Sequence, residues 1–418
     1  MAPPSEQVIS AARLRIPASL RRLFAWAPFI TLVPYFAYAL GAYYPAIQVQ
    51  HFDAAHKVGD LALVSSLSAI AAMVAQPLVG VLSDRTRSRF GARRPWMLAG
   101  ALIGAVGLLT AGLSGALAAL TVAIILVQFG FNTLQGPLSA ILPDRVPEGL
   151  RGRYSTLTGL GVLVGSVAGP IVGSFFVGDI FLGYATAAGF ALLLVALFLI
   201  IVPEADNRGQ ERAPFAFSAF IRAFWVNPVR YPDFFWGFLG RILLFGGYNL
   251  VATYQLYIAQ DYIGLSLSQA QKIVPLLGLA VLPGTILGTA VAGPLSDRLG
   301  RRKPLVLVAG VFIVIAAIIP LISPTVTGLF AANATVGLGF GVFVAVDQAL
   351  MSSVLPSAAD FGKDLGVLNI ATTLPNVVAP AAASAIVLAF GSYSALYVAV
   401  AIIALLGALA VMPIKSIR

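Results

Sequence analysis

Long apolar runs recur from end to end of this chain, separated by short connections that hold most of its charged residues. Each run is close to the roughly 20 residues that a helix needs to cross the hydrocarbon layer of a bilayer. Twelve such runs can be recognised, at residues 26–48, 59–83, 96–115, 117–142, 155–177, 180–202, 234–259, 271–295, 304–322, 325–353, 365–390 and 392–414. The pattern predicts an all-α integral membrane protein with twelve transmembrane helices.

Composition supports a membrane location and argues against several chemistries. Only 10% of the 418 residues are charged and the mean hydropathy is +0.93, which is more apolar surface than a water-facing globule buries. The absence of cysteine excludes disulfides, thiol redox chemistry and cysteine metal sites, and two histidines make a poor metal site. No span carries a nucleophile with a base, or an acidic cluster, at catalytic spacing. We therefore expect neither an enzyme nor a cofactor.

The basic residues are distributed unevenly between the two ends of the predicted spans. If the N-terminus is cytoplasmic, all but three of the 26 lysines and arginines face the cytoplasm. The exceptions are Lys57 and Lys272 outside and Arg241 within a span. This positive-inside bias predicts cytoplasmic N- and C-termini in a plasma or inner membrane. The net charge of +10 then reflects topology and anionic lipid, and we expect a monomer whose partners are the bilayer and a small solute, with no nucleic acid.

The two halves of the chain share residues at a constant offset of 213 positions. The offset relates Gly80, Asp84, Gln135 and Tyr35 to Gly293, Asp297, Gln348 and Tyr248. Matches at one offset across several spans indicate a duplication. We expect an N-terminal six-helix bundle at 1–202, a cytoplasmic linker with an amphipathic helix at 203–233, and a C-terminal six-helix bundle at 234–418, the bundles being related by a pseudo-two-fold repeat.

A charged motif occurs in equivalent loops of the two repeats, as GVLSDRTRSRFGARRP from Gly80 and as GPLSDRLGRRKP from Gly293. Twelve spans in two repeats with both motif copies resemble the major facilitator superfamily of secondary transporters, which work by alternating access. The resemblance implies that each aspartate latches the opposite bundle when the cytoplasmic side is shut. Asp84 would then face Asp364 to Gly366, and Asp297 would face Arg153 to Ser155. The implied gating set is Gly80, Asp84, Arg85, Gly293, Asp297 and Arg298, with the glycines allowing close helix approach.

Other motifs leave the direction of transport open. The longer first loop, SDRTRSRFGARRP, is similar to that of sugar–cation symporters of the sucrose and glycoside type. The fifth span carries GSVAGPIVG, with Gly165, Gly169 and Pro170 in a pattern similar to the antiporter motif of drug–proton exporters. Asn132 occupies the position where those exporters carry an arginine. Close packing of another helix on the glycines explains the fifth-span pattern equally well, so import, export and packing all stand as alternatives.

Polar side chains within the spans predict the solute site, because transporters of this kind bind near the midplane between their repeats. The candidates are Tyr35, Tyr38, Asn132, Gln135, Tyr248, Asn249, Gln255, Gln348, Asn369, Thr373 and Asn376. A neutral, aromatic, hydrogen-bonding cavity suits a sugar or glycoside. Drug or metabolite efflux, and a non-transporting sensor of the same fold, remain alternatives. Each candidate also has a structural alternative, since polar groups in membrane helices often join helices together.

Two charges lie deep within the predicted spans, Arg241 in the seventh and Asp347 in the tenth. At 1.5 Å per residue both lie roughly 12–14 Å from the cytoplasmic loops. An unpaired charge at that depth is expensive, so we expect an ion pair. Our hypothesis is that Asp347 carries the coupled proton and Arg241 controls its release, and a purely structural ion pair is the alternative.

Overall fold

The computed structural model describes residues 16–209, 230–354 and 361–415, and helices make up nearly all of these ranges. Eleven of the helices are long and apolar enough to cross a membrane, and one apolar helix is shorter. In chain order they are α1 Ala18–Phe52, α2 Lys57–Arg85, α3 Arg94–Gly112, α4 Leu117–Arg145, α5 Glu148–Phe175, α6 Ile180–Ile201, α7 Pro232–Ala252, α8 Leu267–Leu299, α9 Lys303–Ile322, α10 Val326–Val354, α11 Phe361–Phe390 and α12 Tyr393–Leu409. The predicted all-α membrane fold with twelve helices is confirmed.

Consecutive helices run in alternating directions, so the start of α1, the end of α12 and the ends of the other even-numbered helices share one face, here called the termini face. The loops after odd-numbered helices form the opposite face. The linker between the halves starts and ends on the termini face, and most of its predicted amphipathic helix falls at 210–229, outside the described residues.

The seventh helix differs from its prediction as one continuous span over 234–259. It ends at Ala252 and is followed by a single turn, Gln255–Tyr257, and a π-helical turn, Ile258–Tyr262. Tyr254 and Tyr257 beside the break are completely buried. Their hydroxyls donate to backbone carbonyls of other helices, a tertiary contact that hydropathy does not encode.

Glycines let the helices within each bundle approach closely. A Cβ atom added to Gly100 of α3 would lie 2.5 Å from the backbone nitrogen of Leu134 in α4, and one added to Gly288 of α8 would lie 2.5 Å from the carbonyl oxygen of Leu338 in α10. Without side chains at these positions, the backbones pack almost directly against each other. The order of packing is repeated, because α2 contacts α4 as α8 contacts α10.

The glycine face of α5 packs against α1 in its own bundle. A Cβ atom on Gly165 would lie 2.5 Å from the carbonyl oxygen of Leu32, and one on Gly169 would lie 2.7 Å from that of Phe36. The close packing predicted for these two glycines is therefore present, and it lies within the N-terminal bundle. Pro170, the next residue, lines a small cavity of about 130 Å³ between α1, α5, α7 and α8.

A basic residue at the start of the third helix of each repeat bonds to the backbone of the last turn of the sixth helix or of the turn that follows it. Arg94 of α3 donates to the carbonyl oxygen of Leu199, and Lys303 of α9 donates to that of Ile414. Both residues directly precede a proline in the first turn of the helix. A cation near carbonyls that end a helix is favourable because these oxygens lack partners within the helix. The duplication inferred from the sequence thus extends to individual contacts.

Candidate solute-binding cavity

A cavity of about 470 Å³ lies between the bundles and is the candidate site. Helices α1, α2 and α4 form one wall, and α7 with α11 forms the other. None of the described residues that line it is charged. Its polar lining consists of Tyr35, Tyr38, Ser65, Ser68, Gln76, Gln128, Asn132, Gln135, Asn249, Thr253, Thr372, Thr373 and Asn376. Such a wall offers many neutral hydrogen-bonding groups.

Gln135 stands at the centre of the N-terminal wall and is held by two tyrosines of α1. The hydroxyl of Tyr38 donates to Gln135 Oε1 at 3.0 Å, and Gln135 Nε2 donates to the hydroxyl of Tyr35 at 2.9 Å. The two tyrosine rings meet edge to face, with centroids 5.9 Å apart. Since both ends of the amide are engaged, its donor and acceptor are held in a defined orientation toward the cavity.

The structure brings most of the predicted binding residues together in this cavity, namely Tyr35, Tyr38, Asn132, Gln135, Asn249, Thr373 and Asn376. Asn376 is exposed although it lies in the middle of α11. The side chains of Gln348 and Asn369 lie outside the described residues.

Two predicted residues lie elsewhere. Tyr248 and Gln255 line a separate cavity of about 50 Å³ inside the C-terminal bundle, and Gln255 also lines the cavity of about 130 Å³ between the bundles. Tyr248 stacks on Phe340 with ring centroids 5.0 Å apart, and Gln255 donates to Asn333 at 3.0 Å. Successive residues of a helix point in different directions, so Asn249 reaches the main cavity while Tyr248 does not.

Sequence reasoning missed four polar residues of the N-terminal wall. They are Ser65, Ser68 and Gln76 of α2, and Gln128 of α4. A signal was available on α4, where Gln128, Asn132 and Gln135 are spaced four and three residues apart and so share one helix face. Asn132 donates to the carbonyl oxygen of Gln128 at 2.8 Å. At the position where exporters carry a positive charge, this chain thus has an amide bonded to its own helix.

The two deep charges form the ion pair that the sequence predicts. Arg241 Nη1 lies 3.1 Å from Asp347 Oδ2, and the side chains are only 15% and 8% exposed. Arg241 Nη2 also donates to Thr372 Oγ1 at 2.9 Å. Because Thr372 lines the main cavity, one side chain separates the ion pair from the site.

The motif loop between α2 and α3 bonds to its own bundle in this structure. Asp84 lies 2.5 Å from Arg93, and Arg93 also lies 2.8 Å from Asp144 at the end of α4. The described partner of Asp84 is therefore within the N-terminal bundle. The side chains of Asp297 and of residues 364–366, expected to take part in cross-bundle latches, lie outside the described residues.

The glycines of the two motif copies depart from expectation. A Cβ atom added to Gly80 or Gly293 would meet no described atom within 4 Å, so among the described residues there is room for a side chain at both positions. The α2 backbone at Gly80 is nevertheless close to α4, since a Cβ atom on Gly136 would lie 3.7 Å from the Gly80 nitrogen. Arg85 and Arg298, which follow the latch aspartates, lie in the last turns of α2 and α8.

An unpredicted carboxylate anchors the same loop. Glu204, just after α6, accepts hydrogen bonds from the backbone nitrogens of Ala92, Arg93 and Arg94 at 3.0 to 3.2 Å. The amide of Arg94 is the first of α3, and those of Ala92 and Arg93 immediately precede it. Amides at a helix start lack partners within the helix and favour a negative charge. Asn207 bonds to the same loop through the backbone of Ser88 and Thr86.

Comparison with known proteins identifies the family. The profile of the Major Facilitator Superfamily matches residues 19–359 and, in a second alignment, residues 276–416. The chain belongs to the Major Facilitator Superfamily. As a superfamily member it is a multi-pass membrane transporter rather than an enzyme. The prediction of a multi-pass membrane protein and the prediction that the protein is not an enzyme are both confirmed.

Curated relatives within the superfamily differ in what their names say they move. The multidrug resistance efflux pump PmrA of Streptococcus pneumoniae is 24% identical over 347 residues, covering 80% of this chain and 81% of PmrA. A D-xylose transporter of Levilactobacillus brevis is 36% identical over 124 residues, covering 30% of this chain and 26% of that protein. The MFS-type transporter YdgK of Bacillus subtilis is 28% identical over 151 residues, which is 36% of either chain.

Solved structures share the fold. A bacterial homologue of the human lysosomal transporter Spinster, in an inward-facing and unoccupied conformation, superimposes with a TM-score of 0.70 at 14% identity. The superposition covers 95% of this chain and 96% of the homologue.

Proposed function

We propose that this superfamily transporter moves a neutral solute rich in hydroxyl groups, a sugar or glycoside, by alternating access. The observation that carries the proposal is the uncharged polar cavity between the bundles, with the Gln135 amide oriented by Tyr35 and Tyr38. Amides and hydroxyls donate and accept in turn, as sugar hydroxyls do. Tyrosine rings beside them offer apolar faces for the ring of a sugar.

Size and kinship support the same substrate class. A cavity of about 470 Å³ lies within the range of roughly 300–1,000 Å³ that small-molecule sites occupy. The local similarity to a D-xylose transporter points in the same direction. A charged solute would find no counter-charge among the described lining residues.

Efflux of a drug or metabolite is the second candidate. The similarity to PmrA, which extends over 80% of this chain, favours it. Two features weigh against the coupling used by drug–proton exporters. Asn132 supplies no fixed charge in the cavity, and the glycines of α5 are occupied by packing on α1.

We further propose proton coupling through Asp347, with both termini in the cytoplasm. The ion pair of Arg241 and Asp347 is nearly buried, and Thr372 links it to the cavity. Solute contacts with Thr372 would compete for the same hydrogen bond. The uneven distribution of lysine and arginine supports the orientation.

A ligand-stabilisation screen of the purified protein tests the substrate class. A ligand that binds the folded form raises the melting temperature, so we expect sugars such as D-xylose and sucrose to raise it and hydrophobic cations to leave it unchanged. Gln135→Ala should weaken binding of the most effective sugar about tenfold, because it removes the central donor and acceptor of the wall.

Ser139→Ala is the matched control, since Ser139 lies one turn further along α4, exposed, with its hydroxyl bonded to its own helix. Stabilisation by hydrophobic cations alone would replace the proposal with efflux. Binding without flux into liposomes would favour a sensor.

A further inference from the structure

The segment that follows α7 presents four side chains to the N-terminal bundle. The hydroxyls of Tyr254 and Tyr257 donate to the carbonyl oxygens of Val58 at 3.0 Å and Ala46 at 2.9 Å. Gln260 exchanges two hydrogen bonds of 2.9 Å with Gln50, and Asp261 Oδ1 accepts from Lys57 Nζ at 2.8 Å. The spacing of three, three and one residues keeps these side chains on one side of the helical turns.

All these contacts lie on the opposite-face side of the cavity, where α1 ends and α2 begins. They join the two bundles, so each of them must break before the cavity can open toward that face. Three of them are neutral, and water can replace their partners. The contact between Lys57 and Asp261 is the ionic member of the layer.

Both partners of this ion pair are held in place by aromatic side chains. The ammonium group of Lys57 lies 4.8 Å from the ring centroid of Tyr257, and Asp261 Oδ2 accepts from the hydroxyl of Tyr393 at 3.2 Å. The Lys57 side chain is only 14% exposed, and that of Asp261 is 38% exposed. A freely exposed ion pair contributes little because its side chains must first be ordered. Here that ordering is already provided, and the cation gains an aromatic face.

The position of Lys57 is itself unusual for this chain. Lys57 is one of the few basic residues on the opposite face, where a membrane protein with this charge bias otherwise avoids them. A lysine at this position therefore indicates a function at this site, and the ion pair of Lys57 with Asp261 of the C-terminal bundle is consistent with one.

We propose that Lys57 and Asp261 lock the opposite face shut, and that breaking this pair limits how often the cavity opens there. The proposal rests on the alternating access proposed above and adds the element that controls one of its two states. Tyr257 and Tyr393 position the lock by holding the cation and the carboxylate.

Single-molecule fluorescence energy transfer tests the lock without any solute. The chain has no cysteine, so Gly115→Cys and Pro324→Cys place one dye on each bundle at exposed loops of the opposite face. A Cβ atom at Gly115 meets nothing within 4 Å. Lys57→Gln and Asp261→Asn should each shorten the dwell time of the closed state about three- to tenfold.

Asp53→Asn is the matched control, because the described partners of Asp53 are Ala55 and His56 in the loop between α1 and α2. The exchange Lys57→Asp with Asp261→Lys should lengthen the dwell time again toward that of the parent. Unchanged dwell times in both single variants would overturn the lock. If a single variant fails to fold, the exchanged pair is compared with the parent and with Lys57→Arg, which keeps the positive charge. Both should hold the closed state about as long as the parent does, and a dwell time of the exchanged pair more than about threefold shorter than that of Lys57→Arg would refute the lock. Since no solute is present, this outcome is independent of the substrate screen.

Discussion

Single residues determine the chemistry of the cavity and of the charged pair behind it. Gln135 and its two tyrosines were predicted as binding residues from their type and depth, and they line the cavity. Their mutual bonds were not predicted, because Gln135 lies 97 and 100 positions from the two tyrosines in the chain. The pairing of Arg241 with Asp347 was foreseen, since two isolated charges at one depth have no better partner.

Asp347→Asn should abolish accumulation of solute driven by a proton gradient and leave exchange between equilibrated compartments intact. The amide cannot exchange a proton, while the cavity wall stays unchanged. Uptake into proteoliposomes with and without a pH gradient measures both activities. A fall of at least about tenfold in the ratio of accumulation to exchange is expected, since loss of an essential proton group removes the driving force.

The structural alternative for this pair predicts a different pattern. Either single change would then misfold the protein, and Arg241→Leu with Asp347→Leu would restore it, because one buried charge alone costs more than none. Full proton-driven transport by the double variant would contradict the coupling role.

At the scale of helices, glycine faces determine which neighbours come close. The α5 motif resembled an antiporter signature, and the structure uses its glycines to pack α5 on α1. The sequence left packing and export open because both need small residues at the same spacing. The break after α7 was missed for a related reason. Its residues are apolar enough to continue a span, and only their bonds across the bundle interface favour another conformation.

Gly169→Ala should lower the free energy of unfolding by about 1–3 kcal/mol, the usual cost of forcing an extra carbon into a packed interface. The new Cβ atom would lie 2.7 Å from the carbonyl oxygen of Phe36. Gly159→Ala on the same helix is the control, because a Cβ atom there meets nothing within 4 Å. Denaturant unfolding of both variants measures the difference. Equal stability with altered transport direction would instead support an antiporter role for the motif.

At the scale of the whole molecule, the two faces differ in the contacts that their described residues make. The opposite face carries bonds between the bundles, including the pair of Lys57 and Asp261. On the termini face, Arg93 forms ion pairs with Asp84 and Asp144 of its own bundle, and Glu204 accepts hydrogen bonds from backbone amides at the start of α3. If Asp84 bonds to its own bundle while the termini face is open and to the opposite bundle while that face is closed, it takes part in both states.

Asp84→Asn should raise the population open to the termini face about three- to tenfold, because a latch to the opposite bundle loses its charge in the closed state. A single cysteine at Ala72, which lines the cavity, reports this as its rate of maleimide labelling in inside-out vesicles. Asp206→Asn serves as control, since its described partner is Arg208, two residues away. An unchanged labelling rate in the Asp84 variant would count against the latch.

The sequence by itself determined the twelve helices, the duplication, the family resemblance and the neutral polar character of the site. These follow from the length and composition of apolar runs and from repeated local motifs, which are properties of neighbouring residues. Tertiary structure decided which face each helix turns to the cavity, so that Asn249 lines it while Tyr248 packs within the bundle. It also decided the partners of Asp84, Glu204 and Lys57, because such contacts depend on the path of the loops and on how the helices are rotated and spaced, which no local pattern specifies.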